Sequence, residues 1–117
     1  MLVKLSWPPS TNQLWRAFKG RNILSAAARD WHKAASLELM AQRARPVRGE
    51  ITVTISLCSP FKRPFDPDNR IKAIFDLLVK NALIDSDSDK TIKSFTVRCG
   101  SEPGAVIEVL PFERESG

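Results

Sequence analysis

Aspartates are concentrated in one part of a chain that is otherwise basic. The formal net charge of the 117 residues is +5, yet six aspartates fall within residues 66–89. Asp66 and Asp68 belong to the segment "RPFDPDNRIKAIFDLL", and three more acids follow in the loop "DSDSDK". Carboxylate oxygens are hard ligands of the kind that Mg²⁺ and Mn²⁺ prefer. The pattern predicts either a divalent-metal site or an ordinary solvated loop.

The expected backbone around Asp66 and Asp68 favours the metal site. Pro67 restricts Asp66 to an extended backbone and suits the first turn of a helix. We therefore expect Asp66 just before a helix and Asp68 in its first turn, with both carboxylates facing one point. A helix N-terminus carries positive partial charge, which attracts carboxylates and phosphates. The alternative is a helix N-cap with a second helpful acid, worth roughly 0.5–2 kcal/mol.

A lysine stands at helical spacing from two of these acids. Lys72 follows Asp68 by four residues and precedes Asp76 by four, so the three share one helix face. A surface ladder of ion pairs, worth a few tenths of a kcal/mol each, explains this spacing. A fixed cation that stabilises charge on a reacting phosphate explains it equally well.

The loop "DSDSDK" resembles a calcium-binding EF-hand only in part. Asp85, Asp87 and Asp89 match ligand positions one, three and five, but Lys90 replaces the required glycine and Thr96 the required glutamate. An EF-hand is therefore excluded. The remaining prediction is a flexible acidic loop that reaches back toward the paired aspartates. Divalent ions held in this way cleave phosphodiesters by activating water and neutralising the leaving oxygen.

The sequence offers little for other kinds of catalytic site. Cys58 and Cys99 have neither CxxC spacing nor a histidine cluster, so we exclude a zinc site and expect both to be small buried residues. His32 is the only histidine, and its place in a predicted helix favours a surface or packing role over catalysis. No apolar run is long enough to cross a bilayer, and the opening prolines interrupt any secretory signal. We expect a cytoplasmic, nucleoid-associated protein with no membrane contact.

Hydrophobic periodicity predicts the elements that must position the acids. Alternating apolar residues predict four strands: "LVKLSW", "EITVTISLC", "TIKSFTVRCG" and "AVIEVL". Apolar stripes predict one helix from a Ser25 cap to about Ala44, closed by Arg45-Pro46, and another through residues 71–78. The segment "STNQLWRAFKGRNIL" predicts a loop with room for a short hairpin. Because at least one connection is a helical crossover, we expect one α+β domain over residues 1–117, with a mixed sheet of about four strands and two main helices on one side.

Three segments, in this order, resemble the RusA-type Holliday junction resolvases: "LSWPPSTNQLWR", "DPDNRIKAIFDLL" and "LIDSDSD". Members of that family are small endonucleases, common in phages and prophages, with a W-P-P-S-x-N opening, a D-x-D-N-x-x-K helix start and an acidic loop. The resemblance covers about residues 5–97. It implies a RusA-like fold and a homodimer that binds four-way DNA junctions and makes two symmetric cuts with Mg²⁺ or Mn²⁺.

The resemblance also implies roles for individual residues. The metal-binding aspartates of the family fall on Asp66 and Asp68, its third catalytic aspartate on Asp87 and its catalytic lysine on Lys72. Asn69 occupies the asparagine position of the motif, and we include it among the DNA-binding residues. The family usually has two adjacent acids in the loop, whereas this chain has Ser86 at the first of them. Either flanking acid of the loop, Asp85 or Asp89, is therefore a possible substitute for Asp87.

Positive charge in the first part of the chain fits a polyanionic substrate. Residues 1–48 hold nine Lys and Arg against two acids, and such a surface attracts nucleic acid. The hypothesis is that the DNA phosphates contact Arg16, Lys19, Arg21, Lys62 and Arg63. Trp15 and Phe18 either stack on an unpaired base or anchor the early loop.

Three functions compete at this point. Besides the resolvase, the pattern allows a non-catalytic branched-DNA-binding protein with structural aspartates. It also allows a metal-dependent enzyme that acts on a small phosphorylated substrate, although that would leave the basic first part unexplained.

Overall fold

Two helices and six strands make up the part of the chain that the structure describes. The computed structural model describes residues 1–10, 15–18, 21–61 and 64–113, with the backbone alone for residues 15–18 and 21–24. The elements follow in this order: β1 (Leu2–Leu5), β2 (Trp15–Phe18), β3 (Arg21–Leu24), α1 (Ala26–Ala41), β4 (Ile51–Cys58), α2 (Asp68–Lys80), β5 (Ile92–Cys99) and β6 (Gly104–Pro111).

Four of the strands form one mixed sheet in the order β1-β6-β4-β5. β5 runs parallel to β4, because the chain returns through α2 between them. β6 then pairs antiparallel with β4 on one side and with β1 on the other. The α+β prediction with a mixed four-stranded sheet and two helices is confirmed. The crossover connects β4 to β5, which are neighbours in the sheet. It contains both α2 and the acidic loop that follows it.

One face of the sheet and both helices share the hydrophobic core. In β4 the side chains of Ile51, Val53, Ile55 and Leu57 are buried, while the intervening Thr and Ser side chains are only half-buried. This is the alternation expected of a strand with one covered face. Of the apolar stripe predicted for α2, Ile74, Phe75 and Leu78 are buried and Ile71 is half-buried. Ala73 and Leu77 are buried beside them.

α1 begins as predicted and ends earlier than predicted. The Ser25 hydroxyl accepts a hydrogen bond from the Ala28 backbone N–H, which is an N-cap. The helix stops at Ala41 rather than near Ala44, because Arg43 adopts a left-handed backbone with a φ of 55°. The N–H groups of Arg43 and Ala44 then bond back to the last turn, in the Schellman pattern. Pro46 therefore does not set the end of this helix, contrary to the prediction.

The end of α1 fixes the edge strand β1. The Gln42 side chain accepts a hydrogen bond from the Lys4 backbone N–H at 2.7 Å and donates one to the Lys4 carbonyl at 2.6 Å. The Glu38 carboxylate accepts two more, from the backbone N–H and the hydroxyl of Ser6. An edge strand otherwise exposes these backbone groups to pairing with another chain. In this protein the Gln42 and Glu38 side chains occupy these backbone groups, and they fix the residues that precede the "WPP" segment.

The segment predicted as a loop with room for a hairpin does form one. β2 and β3 pair antiparallel, with Trp15 opposite Leu24 and Phe18 opposite Arg21. This hairpin is a separate two-stranded sheet. In the described ranges, neither helix has the length and apolar character needed to cross a membrane.

Candidate active site

The acidic segment sits at the start of α2. The helix begins at Asp68, with Pro67 in the N-cap position. Asp66 lies one residue further from the helix than we predicted, and its carbonyl accepts a hydrogen bond from the Asn69 backbone N–H at 3.1 Å. Asp68 is in the first turn, as predicted. Both side chains are exposed beside the positive end of the helix dipole.

The carboxylates of Asp66 and Asp68 do not cap this helix within the described structure. Pro67 makes no side-chain cap, and the Asp66 carboxylate receives only a long 3.4 Å contact from the Asn69 side-chain amide. For Asp68, no described residue provides a hydrogen bond or a salt bridge. Helix capping therefore does not account for these two acids, and their oxygens are available to a ligand.

Lys72 connects α2 to the acidic loop. Its ammonium lies 2.9 Å from Oδ1 of Asp76, one turn later on the same helix, and 3.4 Å from Oδ2 of Asp87. The hydrogen bond to Asp76 is the largest cause that raises the pKa of Lys72 above its ordinary value, and Asp87 adds to it. Lys72 is therefore a fixed cation at neutral pH, unsuited to act as a base. Of the predicted surface ladder, only the Lys72–Asp76 ion pair is present in the described part of the chain. The second partner of Lys72 is Asp87, 15 residues away in the chain, so helical spacing alone does not explain the position of this lysine.

The three acids of the loop have different surroundings. Asp85 uses both carboxylate oxygens within the fold, accepting from Arg48 at 3.1 Å and from the Gly49 backbone N–H at 2.8 Å. The Gly49 bond, together with Arg48, lowers the pKa of Asp85. Asp89 is exposed and contacts no charged partner among the described residues. Of the three, Asp87 is the acid that reaches the helix.

Ser86 closes the loop from within. Its hydroxyl lies 2.7 Å from the Thr91 hydroxyl and 2.9 Å from that of Ser88, so it bridges the two ends of the loop. Ser86 is half-buried and Thr91 buried. Ser86, which stands where the family has the first of two adjacent acids, therefore stabilises the conformation of the loop. The next residue, Asp87, is exposed.

The donor chemistry of this site suits a hard divalent ion. Asp66, Asp68 and Asp87 are exposed carboxylates, and Lys72 joins the last of them to the helix that Asp68 begins. Within the described ranges, however, no three Asp, Glu, His or Cys side chains are grouped closely enough to hold a metal ion. The convergence of the three aspartates therefore stays a prediction.

The comparison with known protein families covers most of the chain. The family model described as "Endodeoxyribonuclease RusA" matches residues 6–110. The chain belongs to the RusA endodeoxyribonuclease family. The matched range contains the "WPP" segment, the start of α2 and the acidic loop. RusA-family proteins are Holliday junction-resolving endonucleases.

A curated relative extends the same comparison. It comes from Aquifex aeolicus (strain VF5) and carries the name "Crossover junction endodeoxyribonuclease RusA". The two sequences are 29% identical over 110 residues, which cover 90% of this chain and 85% of the relative. The similarity thus spans most of both proteins.

The structure describes no side chain of the basic residues predicted to bind DNA. Lys19, Lys62 and Arg63 lie outside the described residues. Arg16 and Arg21 lie on the hairpin, where the backbone alone is described, as do Trp15 and Phe18. Their contacts with DNA phosphates or bases stay predictions, and so does the role of Asn69, whose amide faces Asp66.

Sequence reasoning missed Arg70, which joins two parts of the RusA motif set. Its guanidinium donates a 2.8 Å hydrogen bond to the Pro8 carbonyl and lies 5.1 Å from the centre of the Trp7 ring. Trp7 also meets Phe65 edge-to-face at 4.8 Å. The partners are 62 residues apart in the chain. The signal available in the sequence was the "WPP" segment, but its partner follows only from the topology.

The remaining candidates for chemistry serve the fold or were misjudged. His32 is buried against Trp31, with ring centres 5.3 Å apart, and burial together with Lys80 lowers its pKa. Of its two predicted roles, packing is confirmed. The prediction of two buried cysteines is wrong: Cys58 is half-buried and Cys99 is exposed. Cys99 is the last residue of β5, a strand at the edge of the sheet. The alternation of apolar residues does not show whether another element covers such a strand.

Proposed function

We propose that this chain is a divalent-metal-dependent endonuclease that binds four-way DNA junctions and resolves them by paired symmetric cuts. The observation that carries the proposal is the Lys72 contact, which brings Asp87 to the helix that begins with Asp68. Family membership supplies the class of reaction and the branched DNA substrate. The exposed carboxylates and the fixed cation are the parts that this reaction requires.

Asp66, Asp68 and Asp87 are the proposed ligands of Mg²⁺ or Mn²⁺. The bound ion would supply an activated water and neutralise charge on the leaving oxygen. Lys72 keeps its proton through the reaction, because its two acidic neighbours hold its pKa high. Its role is to stabilise negative charge on the phosphate that is cut. Asp76 keeps the ammonium in position on the α2 face through the 2.9 Å contact.

The positive end of α2 contributes to phosphate binding in this proposal. The backbone N–H groups of Asn69 and Arg70 already donate to the carbonyls of Asp66 and Pro67. The contribution of this helix end is therefore the positive partial charge of its dipole, which favours anions. Asp66 and Asp68 stand at this same end. A metal ion would remove the repulsion between these carboxylates and the DNA, so that the phosphate could approach the helix end.

We further propose that the active form is a homodimer working on DNA in the cytoplasm. The sequence of each chain contains one cluster of aspartates, at residues 66–89, whereas resolving a junction takes two incisions. A twofold dimer presents two equivalent sites to a substrate that has twofold symmetry.

The test is cleavage of a synthetic four-way junction, compared with a linear duplex built from the same arms. The reaction is run with Mg²⁺, with EDTA in its place, and with the Asp68→Asn protein. We expect paired symmetric cuts in the junction alone, and none in either control. Tight junction binding without cleavage under any divalent ion would instead identify a branched-DNA-binding protein whose aspartates are structural.

A further inference from the structure

A cleft of about 360 Å³ opens beside the start of α2. We call it the aromatic cleft, and its walls include Trp7, Pro8, Trp31, Phe61, Phe65 and Arg70. Phe65 directly precedes Asp66, and Arg70 follows Asp68 by two residues. The cleft is therefore built from the segments that carry the acidic site, and its volume falls in the range of small-ligand pockets, roughly 300–1,000 Å³.

Specific contacts hold the walls of the aromatic cleft in place. The indole N–H of Trp31 donates to the Ser6 carbonyl at 3.0 Å, and Arg70 donates to the Pro8 carbonyl at 2.8 Å. These two bonds fix both ends of the Trp7 segment, one from each helix. The edge-to-face contact of Trp7 with Phe65 fixes the ring itself. A site whose side chains are already ordered loses less conformational entropy when a ligand binds.

The chemistry of the walls selects the occupant. The cleft combines aromatic rings with a planar guanidinium, and none of the described residues that line it is acidic. Such surfaces stack well against nucleobases, because every base has a π-face and Arg adds a cation–π contribution. A positive group in the wall also favours a ligand that carries phosphate. An apolar peptide side chain would use the rings but not this charge.

We propose that the aromatic cleft binds one unpaired nucleobase of the DNA junction, next to the phosphate that is cut. This inference rests on the proposed function and adds a binding site to it. Enzymes that act on nucleic acid insert an extruded base into a pocket, and the energetic cost is least where pairing is already disturbed. The crossover of a four-way junction is such a place. The cleft would thereby fix which phosphate lies at the acidic site.

The first experiment replaces single nucleotides near the crossover by abasic sites, one at a time, and measures junction affinity without divalent ions. For the wild-type protein we expect roughly a tenfold loss at one position of each symmetric strand, in the range of a single base–aromatic stack. The same abasic junction should also lose its fixed cleavage position when Mg²⁺ is added.

The second experiment combines this series with two matched variants. Phe61 is 57% exposed and Phe95 is 51% exposed. Phe95 also meets the core residue Phe75 edge-to-face, with ring centres 5.8 Å apart, so the thermal stability of both variants is measured as well. Phe61 lines the aromatic cleft, whereas Phe95 lies on the edge strand β5. We expect Phe61→Ala to bind the intact junction about tenfold more weakly, and to lose nothing further when the critical base is absent. Phe95→Ala should behave like the wild type in both respects.

Each outcome distinguishes this inference from the proposed function. If the wild type binds and cuts junctions but no abasic position matters, or if Phe61→Ala and the abasic site weaken binding independently, the base-binding cleft is refuted and the nuclease stands. If the wild type fails to bind junctions at all, the proposed function itself fails. Thermal unfolding of both variants checks their fold, and the abasic series on the wild type decides the question without them.

Discussion

Asp68 and Asp85 belong to the same acidic part of the sequence and lie in different surroundings. Asp85 accepts hydrogen bonds from Arg48 and from the Gly49 backbone, so both of its oxygens join the loop to the segment before β4. Asp68 stands at the exposed start of α2 and has no such partner among the described residues. Composition and spacing do not separate the two, whereas their contacts do.

The difference indicates where function is to be expected. A carboxylate that is bound within the fold contributes to stability and has little freedom to bind a metal ion. Exposed carboxylates that the fold does not hold in this way repel DNA, so a bound cation is needed before a phosphate can approach them. We therefore expect Asp66, Asp68 and Asp87 to form the functional group, with Lys72 in contact with the last of them, and Asp85 to belong to the scaffold.

The largest expected effect comes from changing two acids of one loop. Asp87→Asn should lower the rate of junction cleavage by about 1,000-fold, because it removes a metal ligand and the partner of Lys72. Asp85→Asn should leave the rate within a few-fold of wild type and lower the thermal stability. Single-turnover cleavage and thermal unfolding of both proteins measure these effects. The reverse order of rates would move the third ligand to Asp85.

Lys72→Ala should lower the cleavage rate by about 100-fold, the scale for losing one positioned charge at a reacting group. Junction affinity should stay nearly unchanged, because many phosphate contacts share the binding energy. Lys4→Ala is the matched control, since Lys4 is likewise exposed and paired, at 3.0 Å, with Glu102. A loss of affinity in proportion to the loss of rate would assign Lys72 to substrate binding instead.

Asp76→Asn should have a smaller effect, about tenfold on the rate, because Asp76 acts through Lys72. Removing the hydrogen bond that contributes most to the raised pKa of Lys72 should also shift the alkaline loss of activity to lower pH. Asp76→Glu should restore part of the rate. Glu102→Gln, which removes the partner of Lys4, is the matched control. An unchanged pH profile would contradict the positioning role.

The smallest effect concerns His32, which has the chemistry of a catalytic group but is packed inside the fold. Burial and the charge of Lys80 lower its pKa in the folded state, against the opposing charge of Asp76. Its neutral form is therefore favoured by folding, and stability is lost as the pH falls below the ordinary value of 6.5. We expect a loss of stability between pH 7.5 and 5.5 that is absent in His32→Phe. Urea unfolding at both pH values measures it, and an equal loss in both proteins would refute the assignment.

The fold was predictable where burial alternates and less so where the backbone turns. Strict alternation identified β4, and a helical stripe identified α2, because one face of each is covered by the core. The end of α1 was missed, since the left-handed conformation of Arg43 leaves no clear mark in a sequence without glycine there.

The site was predictable as a set of residues but not as a set of contacts. Types and spacing identified the aspartates and Lys72. They did not indicate that Asp85 binds Arg48, or that Arg70 reaches Pro8. These pairs are distant in the chain, and only the crossover between β4 and β5 brings them together.

The most direct measurement is the thermal stability of three proteins as Mg²⁺ or Mn²⁺ is added, with ionic strength held constant by NaCl. A ligand that binds only the folded state raises the melting temperature with its concentration. The account predicts a rise for the wild type and for Asp85→Asn, and none for Asp68→Asn. An equal rise in all three proteins, or its loss in Asp85→Asn alone, would contradict the division between the functional and the structural aspartates.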